Sequence, residues 1–356
     1  MQTQLSTSFP LERTGRPVAT WGEHLGTTLF GIWLMLGVFA DGYAHNNIRG
    51  LDSFFTPWHG ILYSGFMATA LWMAYVVLRY RKQGYVGLNA IPVGYDLGLL
   101  GAVLFGVGGV LDLIWHTVFG IEQDADALFS PVHLWLVSSA VLVLSSALRS
   151  NWAQNTPRAV AWKPFFPTFL SFFSSLSFIT FIEMWFWAMA YPNHGAELLS
   201  RQGATVNSLE RLGIAQIFVN HFILIGAMLF LLRRWRPPFG TFTLVLGLNT
   251  ALMSGMMGLP FPELIGLSFV SGLIADLLVL AWKPGPQRRS SFYAWAVVAS
   301  LGIWGLHFLG VELFAKGTVL SLEKWSGTLL TTGLIGLLLA LMVLPPKLPE
   351  AAEQSD

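Results

Sequence analysis

The chain has 356 residues, of which 54% are hydrophobic and only 11% charged, and its mean hydropathy is +0.59. Soluble domains carry about 25% charged residues, so this composition excludes a soluble or disordered protein. The net charge of +1, without a basic face, predicts no nucleic-acid partner, and the absence of cysteine excludes disulfides, thiolate metal sites and iron–sulfur clusters.

Apolar runs alternate with short charged clusters along the chain, and each run is close to the length that a bilayer-spanning helix requires. We therefore predict an all-α, polytopic transmembrane helical bundle embedded in a lipid bilayer. About ten spans are expected from these runs. They lie near residues 21–41, 58–79, 94–116, 131–148, 165–191, 209–232, 239–258, 262–282, 292–315 and 325–345.

Most Lys and Arg residues fall in alternate connections between the spans, for example in the clusters at 79–82, 233–236 and 283–289. Basic residues are retained on the cytoplasmic side during insertion, so this pattern predicts that both termini are cytoplasmic. The other loops, including those near 42–57 and 117–130, are then expected on the outer side of the cell membrane.

The predicted organisation has four parts. Residues 1–20 form a cytoplasmic N-terminal segment, and residues 21–150 form a four-helix half with two repeated hairpins. Residues 151–345 form a second membrane half of about six helices. The tail 346–356, rich in Pro, Glu and Ala, is expected to be disordered.

Two segments of the four-helix half share one layout, D-x-x-x-H followed by F-[TS]-P-x-H. Their acidic and histidine positions are Asp41, His45, His59, Asp112, His116 and His133. The two histidines of the first segment are 14 residues apart, and those of the second segment are 17 residues apart. Because the segments fall at the outer junctions of spans one and two and of spans three and four, we interpret them as two related helical hairpins.

The spacing within each segment predicts a shared metal site. Positions i and i+4 lie one turn apart on the same helix face, so each Asp and the His that follows it reach one point in space. The Thr-Pro and Ser-Pro pairs before His59 and His133 are typical of an N-cap followed by proline, which places both histidines in a first helical turn. Two histidines and one carboxylate form a three-ligand site suited to copper, iron or zinc.

At these residues the sequence resembles the C subunit of the copper membrane monooxygenases, the family of particulate methane monooxygenase and ammonia monooxygenase. The likeness covers roughly residues 25–150. The family pattern is an Asp-x3-His-x12-His triad followed, two helices on, by an Asn-x3-His-x13-His triad, and the Phe-Thr-Pro-x-His element is also similar. The resemblance implies a first copper site at Asp41, His45 and His59 and an adjacent second site at Asp112, His116 and His133.

Two departures from the family pattern affect the second site. Asp112 stands where the family has Asn, which adds negative charge, and the second interval between histidines is three residues longer than in the family. The further spans of the chain do not match the family, and no cupredoxin-like domain is recognisable.

The leading hypothesis is an integral-membrane copper protein that oxidises a small apolar substrate with O2. Electrons would come from a membrane quinol or a redox partner subunit, and a homo- or hetero-oligomer is compatible with this. One alternative is an outward-facing metal-binding or metal-transport protein without oxygenase activity, and another is a non-haem iron enzyme. Whether the second half adds ligands is open, the candidates being Glu183, His194 and His221.

Overall fold

The computed structural model of the protein describes residues 15–48, 54–120, 126–197 and 205–346. The expectations for residues 1–14 and for the tail from residue 347 onward lie outside the described residues. Over the described part the protein is helical and contains no β-strand, which confirms the all-α prediction.

Helices follow one another with short connections. In chain order they are α1 (Trp21–Asn47), α2 (Pro57–Lys82), α3 (Asp96–Phe119), α4 (Asp126–Phe129), α5 (Pro131–Leu144), α6 (Ser146–Ala153), α7 (Trp162–Phe181), α8 (Val206–Arg234), α9 (Thr241–Met256), α10 (Glu263–Trp282), α11 (Arg289–Phe314) and α12 (Leu322–Val343). Single 3-10 turns occur at Gly87–Ala90 and Met184–Phe186.

Eight of the described helices are long and apolar enough to cross a membrane, namely α1, α2, α3, α7, α8, α10, α11 and α12. Helices α5 and α6, which are bent by 40° relative to each other, would make a ninth span if they act as one. Helix α9 has 16 residues, and at 1.5 Å per residue it rises only about 24 Å, short of the ~30 Å hydrocarbon core. The structure therefore supports a multi-pass membrane protein with eight or nine spans by length.

The predicted span 165–191 is wrong at its end, because α7 stops at Phe181. Side chains of α8 bind the backbone that follows and replace its helical hydrogen bonds. The Asn220 amide accepts from Ala188 N at 2.7 Å, and Gln216 Nε2 donates to the Tyr191 carbonyl at 2.7 Å. Because these backbone groups are hydrogen-bonded to side chains of α8, they do not require the hydrogen bonds of a continuing helix.

The chain divides into two compact units. The first takes Met1–Asp41, Leu51–Thr156 and Phe166–Phe178, and the second takes Gly42–Gly50, Pro157–Phe165 and Ile179–Asp356. Every predicted metal ligand except His45 therefore belongs to the first unit.

In the first unit, α1 and α2 meet through a reciprocal pair of glycines. A Cβ on Gly37 would lie 2.6 Å from the Cα of Leu62, and a Cβ on Gly65 would lie 2.6 Å from the backbone nitrogen of Leu34. Real Cβ atoms do not approach backbone so closely, so glycine at both positions permits this contact. It brings together the ends of α1 and α2 that carry the first motif.

Helix α3 packs on α5 and also contacts α2. The α3–α5 contact again depends on glycine, since a Cβ on Gly101 would lie 2.7 Å from the Ser139 carbonyl oxygen. The C-terminal end of α3 thus lies beside the N-terminal ends of α2 and α5.

In the second unit, α10 packs on both α9 and α11, and α12 packs on α11 and α8. Asp276 of α10 accepts hydrogen bonds from the backbone N–H groups of Phe242 and Thr243, at 3.1 and 2.8 Å. The carboxylate therefore satisfies donors at the start of α9 that the helix itself leaves unpaired.

Candidate metal centre

The two histidine-bearing helices of the first unit begin as predicted. Thr56 Oγ1 accepts from the His59 backbone N–H at 3.1 Å, and Ser130 Oγ accepts from the His133 backbone N–H at 3.3 Å. A proline follows each cap at the first helical position. Because a capping side chain bonds the N–H of the second or third helical residue, both histidines are held in first turns.

The second predicted triad is brought together around one carboxylate. Asp112 Oδ1 lies 3.4 Å from His116 Nε2 and 3.0 Å from His133 Nε2. The other oxygen, Oδ2, accepts from the Tyr63 hydroxyl at 2.8 Å. Helices α2, α3 and α5 therefore each contribute a side chain to the buried Asp112 carboxylate.

Of the first predicted triad, Asp41 and His59 lie together in the first unit, with His59 Nε2 3.6 Å from Asp41 Oδ2. His45 follows Asp41 by one turn of α1, in the short segment that groups with the second unit. Its assignment as the third ligand stays a prediction.

The two motifs meet within the first unit. His59, Asp112 and His116 each offer one ligand atom, and these three atoms lie within 4.8 Å of one another. All three side chains are buried. His59 of the first predicted triad therefore lies in one cluster with Asp112 and His116 of the second.

The hydrogen bonding of His116 explains why this cluster suits a cation. Its Nδ1 lies 3.3 Å from the Gly120 carbonyl oxygen, which is only an acceptor, so Nδ1 carries the hydrogen. In a neutral imidazole Nε2 then carries no hydrogen, and its lone pair faces Asp112 Oδ1 at 3.4 Å. Two lone pairs at that distance repel each other unless a cation lies between them, and either a proton or a metal ion fits there.

The capping hydroxyls also orient the other two imidazoles. His59 Nδ1 lies 3.2 Å from Thr56 Oγ1, and His133 Nδ1 lies 2.8 Å from Ser130 Oγ. A hydroxyl either donates or accepts, so each pair accommodates both imidazole tautomers. Outer partners of this kind are what fixes a histidine ligand for a metal.

An apolar cavity of about 750 Å³ opens beside His59 and Tyr63. Its other walls include Phe54, Phe55, Met67, Gly106, Gly109 and Leu113. Phe54 stacks on the His59 ring with 4.8 Å between centroids, whereas Phe55 is 81% exposed and forms part of the outer rim. An apolar molecule can therefore approach the His59 ring from the outer surface of the helices.

Two residues of this site were missed from the sequence. Tyr63 follows His59 by four positions and so shares its helix face, which is a signal that could have identified it. Phe54 directly precedes Phe55, the first residue of the F-T-P-x-H element. No comparable sequence signal distinguishes Phe54 from its neighbour.

Glu183, His194 and His221, the candidate ligands of the second half, lie apart from any three-ligand group of the described residues. Glu183 lies at the start of a 3-10 turn, where burial raises its pKa above the usual range. His221 Nδ1 accepts from the Trp304 indole N–H at 2.9 Å. His194 is fully buried, which lowers its pKa to about 3. Within the described residues none of the three belongs to a three-ligand group that could hold a metal.

No known protein family, curated protein or solved structure matches this chain. The resemblance to the copper monooxygenase C subunit therefore rests on the motif residues between 41 and 133. Function is argued below from the chemistry of the centre itself.

Proposed function

We propose that the first unit holds a copper centre and that the protein uses O2 to oxidise a small apolar molecule. The observation that supports this most is the convergence of His116 and His133 on Asp112, beside an apolar cavity that reaches His59. Imidazole-rich sites with a carboxylate suit copper, with iron and zinc as alternatives. Asp41, whose Oδ2 lies 3.6 Å from His59 Nε2, would add a further ligand from α1.

Each side chain of the centre has a separate task in this proposal. The imidazoles of His59, His116 and His133 hold the ion, and the Asp112 carboxylate offsets its positive charge in a buried place. Tyr63 fixes the carboxylate by its 2.8 Å hydrogen bond. A bound copper ion would supply the binding and reduction of O2.

The cavity supports an apolar substrate. Its volume of about 750 Å³ lies in the range of small-molecule sites, roughly 300–1,000 Å³. Phe54 and Met67 give the space beside His59 an apolar wall. A substrate that partitions into lipid would reach this space from the membrane and be held against the imidazole face of the centre.

The distribution of charge in the first unit supports an outward-facing centre. The ligands lie at one end of the helices, whereas Arg16, Arg79 and Arg149 lie toward the opposite end. Since basic residues remain on the cytoplasmic side, the ligand end would face outward. Electrons would then reach it from a membrane quinol or a redox partner subunit.

The test is metal analysis and electron paramagnetic resonance of the protein purified from membranes, followed by O2 uptake with small apolar compounds. We expect bound copper, a His116→Ala variant that loses it, and O2 uptake that requires both copper and substrate. The matched control is His24→Gln, because His24 is also buried but contacts Tyr95 at 2.9 Å.

Equal copper content in His116→Ala and the unmodified protein would contradict the centre. Copper binding without any O2 uptake would favour the metal-binding or transport alternative, and iron in place of copper would favour the non-haem iron enzyme.

A further inference from the structure

The second unit contains a pair of adjacent histidines in an apolar interior. The rings of His194 and His307 are 5.2 Å apart between centroids, with an interplanar angle of 60°. His194 has no exposed surface and His307 is 5% exposed. One comes from the segment before α8 and the other from α11, so the fold brings them together from distant parts of the chain.

The imidazoles of this pair have unused nitrogen atoms. Within the part of the chain that the structure describes, neither ring nitrogen of His194 has a hydrogen-bond partner, and neither does Nε2 of His307. Buried polar atoms are nearly always paired, and an unpaired buried imidazole is costly. Such atoms need an explanation, and a bound ligand is one.

The His194 backbone carbonyl and the close approach of α8 hold His194 in a fixed place. Its carbonyl accepts from Val319 N at 2.8 Å and from Thr318 Oγ1 at 3.3 Å. A Cβ on Gly213 of α8 would lie 2.4 Å from the His194 Cβ, so α8 approaches the histidine at a distance that only glycine permits. Among the described residues the imidazole nitrogens of His194 have no hydrogen-bond partner. The contacts of its backbone and Cβ nevertheless fix where the ring lies.

We propose that His194 and His307 form a second metal site, which binds a monovalent copper ion through two imidazole nitrogens. This site is independent of the centre proposed for the first unit. The two side chains would supply imidazole nitrogens alone, since no third His, Cys, Asp or Glu of the described residues completes a metal-binding group with the pair.

The aromatic side chains around His194 and His307 favour an ion of low charge. Trp304 lies 5.3 Å from His307 and Phe308 lies 5.4 Å from His194, measured between ring centroids. Moving an ion into such an apolar place costs free energy that rises with the square of its charge, and among the described residues no carboxylate groups with the pair to offset that cost. A monovalent ion is therefore favoured over a divalent one. Among the first-row metals that imidazole binds well, copper has a stable monovalent state, and two nitrogen ligands satisfy it.

The experiment is an anaerobic titration of the full-length protein with Cu(I) against the chelator bicinchoninate. It is made in an Asp112→Asn/His116→Ala background, in which the first-unit centre is disabled. We expect one equivalent of Cu(I) to remain, with a two-nitrogen coordination shell in X-ray absorption, and His307→Gln to abolish it. His221→Gln is the control, because that buried imidazole already accepts from Trp304.

A second variant tests the position of the ligand without removing it. Gly213→Ala leaves both imidazoles in the chain but displaces His194, so we expect Cu(I) affinity to fall by about 10–100-fold, as for other changes that misplace a ligand. If His307→Gln does not fold, the Cu(I) affinity of Gly213→Ala still tests whether His194 is a ligand.

Absence of bound Cu(I) in the background protein, or unchanged binding in both His307→Gln and Gly213→Ala, would overturn the proposal. Failure of the first-unit proposal has a different signature, since Asp112→Asn/His116→Ala would then leave the total copper content unchanged.

Discussion

The two units surround their paired histidines in opposite ways. In the first unit, His116 and His133 share the carboxylate of Asp112, whereas in the second unit His194 and His307 lie among aromatic rings. The imidazoles are chemically the same. What differs is the anion beside them, and in our proposals this neighbouring group determines the charge of the ion that each pair of histidines would hold.

Removal of the Asp112 carboxylate should have the largest effect. Asp112→Asn takes the charge from the oxygen that faces two imidazoles, so the affinity for a divalent ion should fall by more than the ~10–100-fold expected for an outer partner. Cu(I) binding in the second unit should not change. Titrations of the variant with Zn²⁺ and with Cu(I) measure the two effects separately.

Asp41→Asn is the matched control for this variant, because Asp41 lies 3.6 Å from one imidazole, that of His59. We expect a smaller loss of divalent affinity. An equal loss in the two variants would remove Asp112 from its central place in the cluster.

A change of pH should also separate the units. Protons compete with metals for imidazole in the mildly acidic range, so divalent affinity at the first centre should fall by at least about tenfold between pH 7.5 and pH 5.5. Burial lowers the pKa of His194 to about 3, so this imidazole remains neutral over the same interval and Cu(I) affinity should stay constant.

Metal titrations at the two pH values measure this contrast. A parallel fall at both sites would contradict the different surroundings inferred for them.

Loss of the Tyr63 hydroxyl should have an intermediate effect. Tyr63→Phe removes the hydrogen bond to Asp112 Oδ2 and should weaken divalent binding by about 10–100-fold. The control is Tyr75→Phe on the same helix, where the side chain is 53% exposed. If both variants bind the metal equally well, Tyr63 does not position the carboxylate.

The smallest effect is expected at the cap of α5. Ser130→Ala removes the hydroxyl bonded to the His133 backbone, which should lower the free energy of unfolding by about 1 kcal/mol. Ser130→Thr keeps a hydroxyl, as Thr56 does in the first motif, and should behave like the unmodified protein. Thermal unfolding in detergent compares the three, and equal stability of all three would exclude a capping role.

Features that depend on one helical turn were predictable from the sequence. The Thr-Pro and Ser-Pro helix starts, and the pairing of Asp112 with His116, follow from the local chain alone. The approach of Tyr63 to Asp112 joins residues that are 49 positions apart and depends on how α2 packs on α3. The sequence predicted that the two triads lie close together at one membrane face, but periodicity does not specify helix packing, so the group that joins His59 to Asp112 and His116 was not specified.

The same limit applies to the second unit. The early end of α7 depends on hydrogen bonds from Asn220 and Gln216 of another helix. Hydropathy alone does not include these contacts, and it extended the predicted span to residue 191. His194 and His307 share no repeat or spacing, so their proximity arises only from the folded arrangement. Sequence reasoning therefore identified His194 as a candidate ligand without its partner.

The hydroxyl of Ser130 joins two processes that are usually separate. It starts α5 by accepting from the backbone, and it contacts the imidazole that faces Asp112. Formation of that helical turn and assembly of the ligand are consequently one cooperative step. An ion that binds only the folded arrangement stabilises it by mass action. Metal binding at this centre should therefore slow amide hydrogen exchange in the first turns of α2 and α5. The exchange rates of these two short backbone stretches would then measure how much metal is bound.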